Sequence, residues 1–85
     1  MSKYDPLYTF LENAVPDLLE MALSFRQVEI ILGFVLPPSA RQYRSWWENP
    51  GTPDEHSYAQ AWLAAGWKVD KVDLHSEWVR FQKLG

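Results

Sequence analysis

The sequence predicts an α+β domain in which three to four helices lead into a C-terminal β-hairpin, with one short extra strand ahead of the second helix. Three observations carry that prediction. Ser24-Phe25-Arg26-Gln27 spells a capping box: the Ser24 hydroxyl can accept from the Gln27 N–H while the Gln27 side chain reaches back. After Trp67 the apolar period changes from helical spacing to two. Finally, five tryptophans and an apolar share of 47% give 85 residues enough to bury. Each large aromatic removes roughly 150–250 Å² from water, so a few of them can dominate a single small core.

Along the chain, Asp5-Pro6 reads as a helix start, with Asp5 as N-cap and Pro6 at the first helical position. Leu7, Phe10, Leu11 and Ala14 recur at helical spacing and would face the core, and Pro16 closes this helix. In residues 17–25, Leu19, Met21, Leu23 and Phe25 alternate with Glu20, Ala22 and Ser24, the pattern of a short half-buried strand. The same stretch is rich in helix formers, so a helical turn competes with it.

The capping box then opens a helix over residues 25–32. Leu23 and Val28 stand at the positions of a hydrophobic staple, Val28, Ile31 and Leu32 form its buried stripe, and Gly33 suits the left-handed position that ends it. Ser39, after Pro37-Pro38, would cap a further turn carrying Arg41 and Gln42. Residues 43–49 fit either a continued helix or an extended segment, because adjacent Trp46 and Trp47 point different ways in both. Pro50-Gly51-Thr52-Pro53 is a loop. Asp54 or Ser57 would cap the next helix, through Tyr58, Ala61, Trp62 and Ala65 to Gly66. Trp67 and Val69, then Val72 and Leu74, make the first hairpin strand, and the phase break at Asp70-Lys71 predicts a bulge. His75-Ser76-Glu77 turns the chain, and Val79 and Phe81 return on one face, with Trp78, Arg80 and Gln82 on the other. Apart from the Pro-bounded aromatic insert, this is the element order of a winged helix-turn-helix domain, whose wing is the hairpin. That order raises the expectation of DNA binding without establishing it.

Charge narrows the function classes. The net charge is −3, which argues against strong general affinity for nucleic acid, since that affinity comes chiefly from neutralised phosphates. Residues 1–40 hold the whole acidic excess, while residues 41–85 carry six basic and six acidic groups. Any basic surface is therefore local and lies in the second half. With no cysteine, neither disulfides nor thiolate metal sites are available. The N-terminal residues lack the apolar core of a signal peptide, and the apolar run over residues 30–36 is too short to span a bilayer. A cytoplasmic protein without membrane, metal or cofactor is expected.

The candidate contact residues cluster in residues 39–49. Arg41 and Arg44, three apart, can grip phosphates or the N7 and O6 of guanine, or can salt-bridge Glu48 and stack on the tryptophans. Trp46 and Trp47 can form a stacking platform for bases, or one can be core and the other partly exposed. Asn49 can read adenine, but its place before Pro50-Gly51 fits a turn equally well. His56, Ser57 and Gln60 would be contact residues if their helix is a recognition helix; an N-cap with a packed histidine is the plainer role. Lys68 and Arg80 would touch phosphates as a wing does, or belong to a solvated strand face beside Asp70, Asp73 and Glu77. Catalysis has little support: His56 and His75 stand far apart, and no nucleophile elbow, HExxH or phosphate-cradling glycine loop is present. No catalytic residue is expected.

Three motifs also form a familiar set. They are Lys3-Tyr4-Asp5-Pro6-Leu7-Tyr8; Ile31-Leu32-Gly33 with Leu36-Pro37-Pro38-Ser39-Ala40-Arg41 and Tyr43-Arg44-x-Trp46-Trp47-x-Asn49; and His56-Ser57-x-Ala59-x-Ala61-Trp62-Leu63-x-Ala65-Gly66-Trp67. Together they resemble a family of small, mostly uncharacterised bacterial and phage domains found alone or beside nuclease modules. The resemblance covers nearly the whole chain. Its implication leans toward nucleic acid or anti-phage conflict and assigns no catalytic residue. Two functions follow as expectations. The first is a non-enzymatic, winged-helix-like nucleic-acid-binding domain with DNA as its partner. The second is a protein-interaction module, such as a phage-encoded inhibitor of a bacterial defence enzyme, binding a host protein through tryptophan and arginine anchors.

Overall fold

The computed structural model describes residues 3–48 and 57–84. Among them the chain forms four α-helices and a three-stranded antiparallel sheet. In order these are α1 (Asp5–Glu12), β1 (Glu20–Ser24), α2 (Phe25–Leu32), α3 (Pro38–Gln42), α4 (Gln60–Leu63), β2 (Trp67–Asp73) and β3 (Trp78–Lys83). Two 3₁₀ turns, Arg44–Trp47 and Ser57–Ala59, connect α3 to α4 across the undescribed residues 49–56. Asn49, the loop at residues 50–53, Asp54 and His56 fall outside the described residues.

The strongest local signal forms as the residues dictate. Gln27 N–H donates to Ser24 Oγ at 3.0 Å, and Ser24 N–H donates to Gln27 Oε1 at 2.8 Å. Leu23 and Val28, the staple pair, are both buried, and Gly33 ends α2 at φ 84°, a backbone region that glycine enters without a Cβ clash. The competition in residues 17–25 resolves as strand, because β1 pairs with β3 from Glu20 to Ser24. Leu19 lies just ahead of that pairing and is exposed, not inward as the alternation predicts. The bulge occurs where the phase breaks: Val69 faces Phe81 and Lys71 faces Arg80, leaving Asp70 as the extra residue.

Several local expectations are corrected. Tyr4, not Asp5, occupies the N-cap of α1, and no side chain caps it. Tyr4 is buried, its ring 5.4 Å from Phe34 and 5.9 Å from Tyr58, so packing sets where the helix begins. Asp5 sits in the first turn, where its charge suits the helix dipole. Phe10 turns outward, because Leu7 and Leu11 take the face of α1 that meets α2 and α4. Ser39 caps nothing; Pro37 precedes α3 with extended backbone and Pro38 is its first residue. The fourth helical segment is shorter than its apolar spacing suggests, a 3₁₀ turn leading into four α-helical residues.

Of the segment at residues 43–49, the described part, residues 43–48, is neither continued α-helix nor extended strand. The 3₁₀ geometry of Arg44–Trp47 buries both tryptophans, with Trp46 8% and Trp47 1% exposed. Trp47 stacks between Phe25 (5.2 Å) and Trp62 (6.0 Å), while Trp46 stacks on Tyr58 at 4.2 Å. The indole N–H of Trp47 donates to Ala40 O at 2.8 Å, and that of Trp67 donates to Leu11 O at 3.1 Å. Each polar edge is therefore satisfied inside the core.

The sheet order is β1-β3-β2. Its inner face carries Leu23, Val72, Val79 and Phe81, on which the helices and the aromatic cluster pack. Glu20, Ala22, Arg80, Gln82 and Lys68 share the outer face by register. Two substitutions separate local from tertiary stabilisation. Ser24→Ala should cost about 1 kcal/mol, the worth of one N-cap, and Trp47→Phe about 2–4 kcal/mol, since it opens space and strips the Ala40 carbonyl of its donor. Urea unfolding monitored by circular dichroism measures both; equal losses would contradict the central role of Trp47.

Candidate nucleic-acid interface

The candidate contact residues of the second half separate into those engaged within the fold and those that are not. Arg41 belongs to the first group. From the last turn of α3 its Nη2 donates to Glu29 Oε2 at 2.8 Å, its Nη1 pairs with Glu77, and its guanidinium carbon lies 5.6 Å from the Phe25 ring centre. Glu29 on α2 also accepts the Leu36 N–H at 2.8 Å. One carboxylate thus ties α2 to the segment entering α3, and Arg41 adds the β2–β3 turn. Glu77 holds a left-handed backbone at φ 58°, uncommon for a residue with a side chain, and its carbonyl accepts the Phe25 N–H at 2.9 Å. The hydrogen bond from Arg41 lowers the Glu29 pKa, and the bond to Glu29 raises that of Arg41.

Trp46 and Trp47 are also inside, so neither ring offers a free face for a base. Arg80 donates from Nε and Nη2 to Asp70 Oδ2, each at 2.8 Å. This pair crosses the bulge and neutralises the residue it extrudes. Lys83 Nζ donates to Pro16 O at 3.1 Å, pinning the end of β3 to the loop before β1. Gln60 opens α4 and is half-buried, and Ser57 begins the 3₁₀ turn ahead of it.

Arg44 and Lys68 remain. Arg44 is exposed and makes no ion pair among the described residues. It borders a cleft of about 280 Å³ between its 3₁₀ turn and β2, floored by Trp47, Val69 and Val72. Lys71, Asp70 and Glu48 complete the rim. Lys71 is exposed, with its ammonium 5.9 Å from the Trp78 ring centre. Lys68, half-buried on the same strand, faces Gln82 across the sheet. The structure therefore brings Arg44 and Lys71 to one cleft and places Arg41 elsewhere, against Glu29 and Glu77.

Lys71 is the residue that spacing alone does not select. Its signal is the phase break at Asp70-Lys71, because a bulge re-aims the side chains beside it. A second groove of about 280 Å³ lies across the same 3₁₀ turn, lined by Ser39, Tyr43, Ser45, Trp46, Glu48 and Tyr58. Burial raises the Tyr58 pKa, so its phenol stays neutral. Among the described residues no group of three His, Asp or Glu side chains could hold a metal ion, and no helix is long and apolar enough to cross a membrane.

The Glu29–Arg41 contact predicts an acid-sensitive stability. With the Glu29 pKa lower when folded than its unfolded value of about 4.3, its contribution is fully present above that value. It is lost as pH falls through the lowered folded value. Glu29→Gln should flatten this part of the stability profile between about pH 5 and pH 2, measured by urea unfolding at each pH. An unchanged profile would mean that the pair contributes nothing.

A search of curated proteins and a search of solved structures each find no match to the chain. A family model does match, over residues 4–84, and so takes in every element from α1 to β3. The chain accordingly belongs to the family described as Domain of unknown function (DUF7662).

Proposed function

We propose that this protein is a small, non-enzymatic nucleic-acid-binding domain of winged-helix type, with DNA as its partner. The observation that carries the reading is the cleft shared by Arg44 and Lys71, where two exposed cations flank an apolar floor and Arg44 has no acidic partner among the described residues. Such a cleft suits a phosphate, with the sugar against Val69 and Val72. Lys68 extends the cationic line along β2. The element order supports the winged-helix assignment: a helical segment leads directly into a two-stranded hairpin, and β1 adds to the hairpin's second strand.

With a net charge of −3 and Arg41, Arg80 and Lys83 engaged internally, few phosphates are neutralised. The affinity is therefore modest and its salt dependence shallow. For two to three phosphate contacts, the slope of log K against log salt should lie near about −2 to −3.

A second reading, a protein-interaction module such as a phage-encoded inhibitor of a bacterial defence enzyme, is favoured by Ile30 and Val35. They flank the end of α2 and are 69% and 76% exposed.

Fluorescence anisotropy with labelled duplex and single-stranded oligonucleotides, titrated between 50 and 200 mM salt as in roughly the range where counterion release is read, tests the first reading. Arg44→Ala combined with Lys71→Ala should weaken binding about tenfold or more at low salt, with the fold intact by circular dichroism. No binding to any duplex or single strand at low salt rejects it. Recovery of one stoichiometric host protein instead of nucleic acid would favour the second reading.

A further inference from the structure

At the opposite edge of the sheet from the cleft, β1 is a five-residue edge strand whose only charge is Glu20 at its start. It contains no lysine, proline or glycine, and among the described residues β3 is the only strand paired with it. Its backbone pattern shows which groups are open. Leu19 O accepts from Lys83 N–H and Phe25 N–H donates to Glu77 O, so the odd-numbered residues bond toward β3. The N–H and C=O groups of Glu20 and Ala22 therefore point away from the sheet. Next to this edge lies an exposed apolar group on α1 and the α1–β1 connection: Phe10 is 40% exposed, Val15 64%, Leu18 39% and Leu19 66%. With Met21, three of these line a groove of about 390 Å³ that opens beside the strand.

We propose that the occupant of this edge is a second copy of the chain, its β1 added antiparallel across a two-fold axis through Ala22. Charge selects that arrangement. Asp17 lies before β1 and Arg26 follows it, both exposed and neither ion-paired among the described residues. An antiparallel two-fold pairing carries the Asp17 end of each strand to the Arg26 end of the other, one register step apart, twice over. Glu20, the only charge within β1, then faces Ser24 of the second copy and not another carboxylate. On the inner face Met21 meets Leu23 of the second copy, continuing the apolar surface. Two Ala22 residues at the axis exchange N–H to C=O bonds, and Leu18 and Leu19 are drawn in from both sides. A contact of this kind is isologous and closes on itself, so it ends at a dimer.

Sedimentation velocity over a concentration series tests the pairing. The wild-type chain should shift from monomer to dimer as concentration rises. Ala22→Pro removes the N–H at the axis while suiting an edge strand, and should weaken the dimer by about tenfold or more. Arg26→Glu should weaken it by about threefold to tenfold, and the double variant Asp17→Lys with Arg26→Glu should restore it. Circular dichroism of each variant separates dissociation from unfolding, and Leu19→Lys serves in place of Ala22→Pro if the proline variant does not fold. A wild-type chain that stays monomeric to about 1 mM overturns the proposal. So does a dimer that survives Ala22→Pro, Leu19→Lys and the charge reversal, or a monomer whose edge instead binds an unrelated extended peptide.

Discussion

Burial of the Trp47 indole is the constraint on which the rest of the molecule depends. The ring is stacked between α2, through Phe25, and α4, through Trp62, and meets Trp46 edge-on at 4.7 Å. Its N–H must find an acceptor once water is excluded, and it finds the carbonyl of Ala40 while Trp46 packs on Tyr58. That bond fixes the distance between α3 and the 3₁₀ turn after it. A small domain has little stability to spare, so a ring that joins two helices, a turn and the sheet-facing cluster outweighs any single surface contact.

Arg41 plays the polar counterpart. It joins α3 to α2 through Glu29 and to the β2–β3 turn through Glu77, while its guanidinium lies near the Phe25 ring. The two contacts differ in weight. The Glu29 carboxylate is only 14% exposed and also holds the Leu36 N–H, whereas that of Glu77 is 53% exposed and well screened by solvent. The Glu29 contact is therefore the stronger brace. An arginine within a Pro-bounded aromatic segment looks from composition like a ligand contact; here it serves as an internal clamp.

The division of the cations gives the molecule two unlike sides. Toward β2, Arg44 and Lys71 border an apolar-floored cleft, with the carboxylate of Asp70 taken up by Arg80. Toward β1, the surface is apolar and its open strand edge is flanked by charges of opposite sign at its two ends. The two sides are separated by the width of the sheet, so pairing through β1 would leave both clefts accessible.

The sequence by itself determined the capping-box helix, its glycine stop, the hairpin, the bulge at Asp70 and the aromatic-rich α+β class. These are legible because each rests on near neighbours: a hydroxyl three residues from an amide, a period of two, a phase that slips by one. Tertiary structure alone decided that both Trp46 and Trp47 are buried, that Phe10 and Leu19 are not, and that Arg41 faces Glu29 and Glu77, 12 and 36 residues away. It also decided that Lys71, and not Arg41, shares a cleft with Arg44. Contacts across such separations depend on how elements pack, and a charged side chain carries no local mark of which distant partner packing will bring to it.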